Sequence, residues 1–430
     1  MASQEVERNA SLPDAAVAPS VNLSQLSLDI LPHILRQLDQ RVDWHTCALV
    51  SRTFNRFTTP LLYSVLDSDV IASKHTIAHA CHTILARPEL ASYVRFVTET
   101  GTVHRSYLAR STGLTQLALR SLSLCHNIIS VTWVDDVPST DAPLSSQFLS
   151  VLKTLPIRDL TVRTHIDIGD RVWEQMIQLT DIRRLSIWCA MEGRPRFLQG
   201  WSERLGSSLI YLELGSCNLP PTLIITTISH LPLLQSLRIK GVPSGTMFEI
   251  LTLLPQLHSL DTEYYHSTCR RRSVPYILPT LRNLTVRTSS LDTVQQTLWR
   301  WILEIVPHPG LDSLTLNTES IIPRMFILDL AAVHRKSLKY FSVTGPHMSL
   351  MDLECVCYKF PELESVMCPV ASPDIDSIFS AVSRARNLRS LKLDVSWASA
   401  QYAFQGRWVF EDGQQKFQVV SDFTTPKRMW

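Results

Sequence analysis

From Leu160 onward, apolar residues recur in a short alternating text of the form L-x-x-L-x-L: "IRDLTV", "IRRLSI", "LIYLEL", "LQSLRI", "LHSLDT", "LRNLTV", "LDSLTL", "LKYFSV", "LESVMC" and "LRSLKL". Their central residues are Leu160, Leu185, Leu212, Leu237, Leu260, Leu284, Leu314, Phe341, Val366 and Leu391, spaced by 25, 27, 25, 23, 24, 30, 27, 25 and 25 residues. Alternation with period two predicts a short strand at each text, and intervening stretches such as "TTISHLP" and "WRWILEIVP" predict helices that carry the chain back. Each unit alone would leave an apolar face in water, so the units are expected to stack into a parallel sheet. Pro232, Pro255, Pro279 and Pro361 fall shortly before strands, where proline stops a helix and biases its neighbour to extended geometry.

A repeat of this length resembles the leucine-rich-repeat family. The unit "LIYLELGSCNL", Leu209 to Leu219, carries the signature L-x-x-L-x-L-x-x-C-x-L in full, whereas Ala190, Val242, Ser289 and Ser396 replace the Cys/Asn position elsewhere. The expected fold class is α/β, a leucine-rich-repeat solenoid with a curved parallel sheet and helices on its outer side. The array extends backward to "YVRFV" (Tyr93 to Val97) and "IISVTW" (Ile128 to Trp133), while "LTQLAL" at Leu114 sits half a period early and is expected to be a returning helix. In the tail, "RWVFEDGQQKFQVV" alternates around Asp412-Gly413, which signals a hairpin that closes the last repeat or a frayed end.

The stretch Leu26 to Leu66 is patterned differently. Ile30, Leu31, Ile34, Leu35 and Leu38 form one apolar helical stripe, and Leu49, Val50, Phe54 and Phe57 form another. Helices this short are marginal alone, so they either cap the first repeat or are covered by a partner. At "DILPHIL", "CALVSRTFNRF" and "TPLLYSVL" the sequence resembles the F-box, closely the fungal kind. That resemblance implies a small all-α module docking on a Skp-type adaptor of a cullin ubiquitin ligase, with Ile30, Leu31, Pro32, Ile34, Leu35, Leu38, Leu49, Val50 and Phe54 as adaptor-binding residues. Leu26 is followed by Ser27 where the family usually has proline, which implies weaker adaptor affinity. The expected organisation is a flexible leader at 1–23, F-box helices at 24–66, a helical connector at 67–92, the solenoid at 93–397 and a cap or hairpin tail at 398–430.

Residues flanking the central leucines point away from the core because strand positions alternate faces. In the middle repeats they alternate in sign: Glu213, then Arg238 with Lys240, then Asp261 with Glu263, then Arg287. Two readings remain open, a self-neutralised sheet face and a polar recognition strip edged by the aromatic anchors Trp188, Tyr211, Tyr264 and Tyr265. On the second, Trp188, Tyr211, Glu213, Arg238, Lys240, Asp261, Glu263 and Arg287 are the candidate substrate-binding residues.

Composition narrows the function class. The 430 residues carry a net charge of only +2, so no global field points to nucleic acid or a membrane surface, and "CRRRS" at Cys269 to Ser273 reads as a solvated basic loop. The first residues hold Glu5, Glu7 and Arg8 with no apolar run behind them, unlike a secretory signal, and the nine cysteines lack zinc-ribbon spacing. Reduced thiols in cytoplasm and/or nucleus are expected. With 13 glycines there is no phosphate-loop, dinucleotide, nucleophile-elbow or H-E-x-x-H text. The cluster "HTIAHACH" places His75 and His79 at four-residue spacing beside Cys81 and His82, but no carboxylate partner is evident and an ordinary helix is expected there. Cys355 and Cys357 are expected to be buried apolar thiols. The function expected is a non-catalytic substrate receptor without cofactor or metal, its partners the Skp-type adaptor, the cullin core and a protein target; the alternative is a repeat scaffold with no ubiquitin link.

Overall fold

The computed structural model describes residues 28–68, 79–108, 113–135, 144–165, 169–189, 200–215, 219–265, 277–288, 295–372, 374–397, 406–411 and 414–419. Leu26, Ser27, His75, Ala190, Cys217, Cys269 to Ser273, Ser289 and the Asp412-Gly413 turn, each singled out above, lie outside the described residues. The chain divides into two units, one ending at Val65 and one beginning at Leu66.

The first unit holds three helices, Leu31–Leu35, Arg41–Val50 and Arg52–Leu62. Pro32 occupies the first turn of the first, where its missing N–H is no loss. Ser51 has an extended backbone and its hydroxyl accepts from Phe54 N–H at 3.2 Å, which starts the third helix immediately after the second ends. Trp44 Nε1–H donates to Leu35 O at 2.9 Å and Asn55 Nδ2–H to Ala48 O at 3.1 Å, tying the helices together. The single stripe expected at residues 30–38 is corrected here. The first helix spans five residues, so Leu31 and Leu35 share its inner side and are buried, while Ile30 and Ile34 turn outward.

The second unit is built on one sheet. Its strands are β1 (Val65–Asp67), β2 (Phe96–Thr100), β3 (Ser130–Asp135), β4 (Asp159–Thr164), β5 (Arg184–Cys189), β6 (Tyr211–Gly215), β7 (Ser236–Ile239) and β8 (Ser259–Glu263). They continue as β9 (Asn283–Arg287), β10 (Ser313–Asn317), β11 (Tyr340–Thr344), β12 (Met348–Ser349), β13 (Ser365–Ser372), β14 (Ser390–Trp397), β15 (Gly406–Glu411) and β16 (Gln414–Val419). Spatial order follows chain order, with β12 paired off the main path to β13, so the sheet is open. Pairing is parallel from β2 to β14 and antiparallel in β14–β15–β16, so a hairpin covers the edge of β14.

The register explains the repeat. Leu160, Leu185, Leu212, Leu237, Leu260, Leu284, Leu314, Phe341, Val366 and Leu391 are mutual partners in one unbroken row, extended backward by Val97 and Val131. Every member is buried except Leu391, beside the C-terminal hairpin, which is half-buried. A second buried row runs two residues on through Val162, Ile187, Leu214, Ile239, Thr262, Val286, Leu316 and Val343. Helices return the chain between strands, among them Leu114–Leu124 as expected, Pro221–Ser229, Thr246–Thr252, Gln295–Ile305 and Leu350–Lys359. Pro232, Pro255 and Pro361 each follow the end of one of these helices. The unit is a leucine-rich-repeat solenoid. Cys355 and Cys357 lie on the helix Leu350–Lys359; Cys357 is buried, its thiol pushed up to about 12 by burial, and Cys355 is half-buried. Among the described residues no helix is long and apolar enough to cross a membrane.

Candidate protein-binding faces

The side chains that alternate with the two buried rows leave the core on the opposite sheet face, and the register sets their neighbours. Ser186, Glu213, Arg238 and Asp261 are consecutive partners across β5 to β8. Glu213 is buried and its Oε2 accepts from Ser186 Oγ at 2.6 Å and from Tyr211 OH at 3.2 Å. Its Oε1 lies 2.7 Å from Arg238 Nη1, an ion pair that is close but poorly aligned for a hydrogen bond. Arg238 Nε lies 3.1 Å from Asp261 Oδ2, and the other oxygen of Asp261 pairs diagonally with Arg287 Nη1. The four charges form one alternating chain, and Glu213, Arg238, Asp261 and Arg287 neutralise one another. Glu263 stands opposite Arg287 in the register. Burial and then Glu213 push the Tyr211 phenol upward, and the guanidinium of Arg184 lies 4.1 Å over its ring.

Trp188 has different surroundings. In the register it stands between Arg163 and Gly215. A Cβ at 215 would overlap the indole, so glycine is what lets the ring lie across the next strand. Three cations surround the ring: Lys240 Nζ at 4.9 Å from its centroid, Arg238 Cζ at 5.2 Å and Arg163 Cζ at 5.9 Å. Burial is the largest influence pushing the Lys240 ammonium below the usual lysine range, and Arg287 and Arg238 add to it against Glu263 and Glu213. Arg163, Arg184, Ser186 and Gly215 were not among the candidates from sequence; the register position next to Trp188 was the signal for Arg163 and Gly215. Tyr264 is corrected as an edge of this strip. It is buried, donates or accepts at 2.8 Å with Thr297 Oγ1, and packs edge-on against Trp301 at 5.1 Å. Tyr265 is exposed.

His79 is not on the helix expected for "HTIAHACH" but caps one, Ala80–Ala86, its Nδ1 accepting from Cys81 N–H at 3.2 Å. The carboxylate not evident in the sequence is Glu99, at the end of β2: its Oε2 lies 3.2 Å from His79 Nε2 and 2.9 Å from His104 Nε2. The three groups are buried, with donor atoms within 4.8 Å of one another. The hydrogen bonds of both rings pull Glu99 down to about 2 although burial works the other way. A cation on His79 Nε2 would move the ring proton to Nδ1, against the Cys81 N–H. The donor set therefore fits a hydrogen-bonded network better than a metal centre.

In the first unit, the adaptor-binding candidates separate by exposure. Leu49 is 73% exposed, Val50 66%, Ile30 50% and Ile34 47%; Pro32, Leu38 and Phe54 are half-buried; Leu31 and Leu35 are buried and serve the unit's own core.

No protein-family model matches the chain, and no curated protein matches its sequence. Among solved structures it is similar to a chain of the Rad7 and Elc1 complex from yeast, with 14% identity over 81% of this chain and 85% of that one and a TM-score of 0.49. It is also similar to a chain of the TLR13–ssRNA13 complex, with 14% identity and a TM-score of 0.33, covering 72% of this chain and 52% of that one, about half its length.

Proposed function

We propose that the chain is a non-catalytic substrate receptor of a cullin-type ubiquitin ligase, acting in the cytoplasm or nucleus. Helices Leu31–Leu35, Arg41–Val50 and Arg52–Leu62 dock on a Skp-type adaptor, and the open sheet face holds a protein target. The observation that supports the reading is the outward turn of Leu49, Val50, Ile30 and Ile34 on a unit of three short helices whose text resembles the F-box. A partner that covers them, burying about 800 Å² per side, offsets the cost of ordering so small a unit. The receptor's contribution to transfer is proximity, for which it needs affinity and rigid geometry and no nucleophile of its own.

The test is capture of a purified Skp-type adaptor by the full chain at micromolar concentration. Wild type is expected to bind, and Leu49→Asp and Val50→Asp, both solvent-facing and therefore folded, are expected to lose at least about tenfold in affinity. No capture by the wild-type chain would leave the repeat scaffold without a ubiquitin link.

A further inference from the structure

Most charge on the sheet face is internally balanced, and that makes the exception informative. Arg238 and Arg287 are matched by Glu213 and Asp261. Arg163 and Lys240, on either side of Trp188, are in no ion pair among the described residues; both lie over the indole, and Glu263 and Glu213 act on Lys240 without an ion-pair contact. An aromatic face attracts a cation by about 0.5–1 kcal/mol at an exposed site, far less than a well-placed anion offers in a partly desolvated one.

We infer that the patch formed by Arg163, Trp188 and Lys240 binds an acidic segment of the protein target, its anionic group between the two cations and its aliphatic stem on the indole. This rests on the reading of the sheet face as the target-holding surface. Burial does most to lower the proton affinity of Lys240, and Arg287 and Arg238 add to it against Glu263 and Glu213; a bound anion relieves the repulsion of the two guanidiniums. The geometry favours a protein segment over a nucleic acid. A polynucleotide gains affinity from many phosphate contacts along its length, but the neighbouring guanidiniums of Arg238 and Arg287 are already engaged by Glu213 and Asp261, so they are not available to a second and third phosphate. One local anion suits the patch; a continuous row of them does not.

The experiment measures binding of labelled oligoglutamate, of a phosphoserine peptide and of a neutral oligoglutamine peptide to the purified full chain, without adaptor. Both acidic probes are expected to bind and the neutral one not, with affinity falling as salt rises. Whichever acidic probe is tighter identifies carboxylate or phosphate as the source of the anion. Arg163→Glu, at an exposed position, and Lys240→Gln are each expected to weaken acidic binding by roughly tenfold, and Trp188→Ala to weaken it with the melting temperature of the array little changed. Equal binding of glutamate and glutamine probes, indifference to both charge variants, or stronger binding of single-stranded oligouridylate would overturn the inference. Adaptor capture reads the first unit, Leu31–Leu35, Arg41–Val50 and Arg52–Leu62. Capture without acidic-peptide binding removes this inference alone, and peptide binding without capture removes the ligase assignment and leaves the patch.

Discussion

Trp188 and Gly215 are register partners on β5 and β6, and the indole occupies the volume that any side chain at 215 would need. The platform therefore depends on an absent Cβ one strand away. Gly215→Ala is expected to lift the ring off β6, moving it out of reach of Lys240 and Arg238. Overpacking of this kind typically costs about 1–3 kcal/mol. Urea denaturation reads that loss, and acidic-peptide binding should fall in parallel. An alanine variant with wild-type stability and binding would show that the indole has another resting place.

Glu99 gives the pH dependence. Its folded carboxyl is held at about 2, below its ordinary 4.5, by the hydrogen bonds of His104 and His79. Its contribution to stability is present in full above pH 4.5 and is lost as the pH falls from there toward 2, a change of about 3 kcal/mol. His79 is drawn upward by its hydrogen bonds to Cys81 and Glu99 against the effect of burial, but the Cys81 N–H on Nδ1 resists a second ring proton. Glu99 therefore dominates. Glu99→Gln is expected to cost about 3 kcal/mol near neutral pH, the part of the stabilisation that depends on the carboxylate charge. It should also flatten the acid limb of a stability profile measured by denaturant titration at successive pH values.

The repeat was legible in the sequence because stacking forces equivalent positions onto one face. The ten central residues read from spacing alone, Leu160 through Leu391, share one row of register partners, buried up to Val366 and half-buried at Leu391. What escaped were features set by contacts distant in sequence or by element length. The inward turn of Leu31 and Leu35 and outward turn of Ile30 and Ile34 follow from a helix of five residues, too short to display a continuous stripe. Tyr264 lies just past the end of β8, where alternation no longer sets direction, and the hydroxyl of Thr297 draws it inward. Glu99 stands twenty residues from His79 and meets it only through the fold. Alternating charges on the sheet were visible, but which of them would pair depended on the diagonal contact of Arg287 with Asp261.

Asn55 explains part of the text "LVSRTFN" at the join of the second and third helices. Its amide donates to Ala48 O, a carbonyl near the C-terminal end of Arg41–Val50. Asn55→Ala should free that carbonyl and cost about 1 kcal/mol in the first unit. Ser51→Ala removes the cap of the third helix at a similar cost of about 1 kcal/mol. Both are expected to raise hydrogen exchange in residues 41–62 and weaken adaptor capture, while amides in β5 to β9 keep wild-type protection. Faster exchange across the strands as well would mean that the two units melt together.

Leu237 tests the solenoid itself. It sits in the middle of the buried row between Leu212 and Leu260 and is 1% exposed. Truncation to alanine leaves a cavity that the fixed spacing of neighbouring strands cannot close, at a cost of about 2–5 kcal/mol. In a stacked array each repeat touches only its neighbours, so the damage should be local. Hydrogen exchange is expected to quicken in β6, β7 and β8 and to stay near wild type in β13 and β14. Leu391→Ala, at the half-buried end of the same row, is expected to cost less, because less apolar area returns to water when the side chain is removed. An even rise in exchange across all strands for Leu237→Ala would show instead that the sheet unfolds as one cooperative body, and nearest-neighbour stacking would then fail to describe its stability.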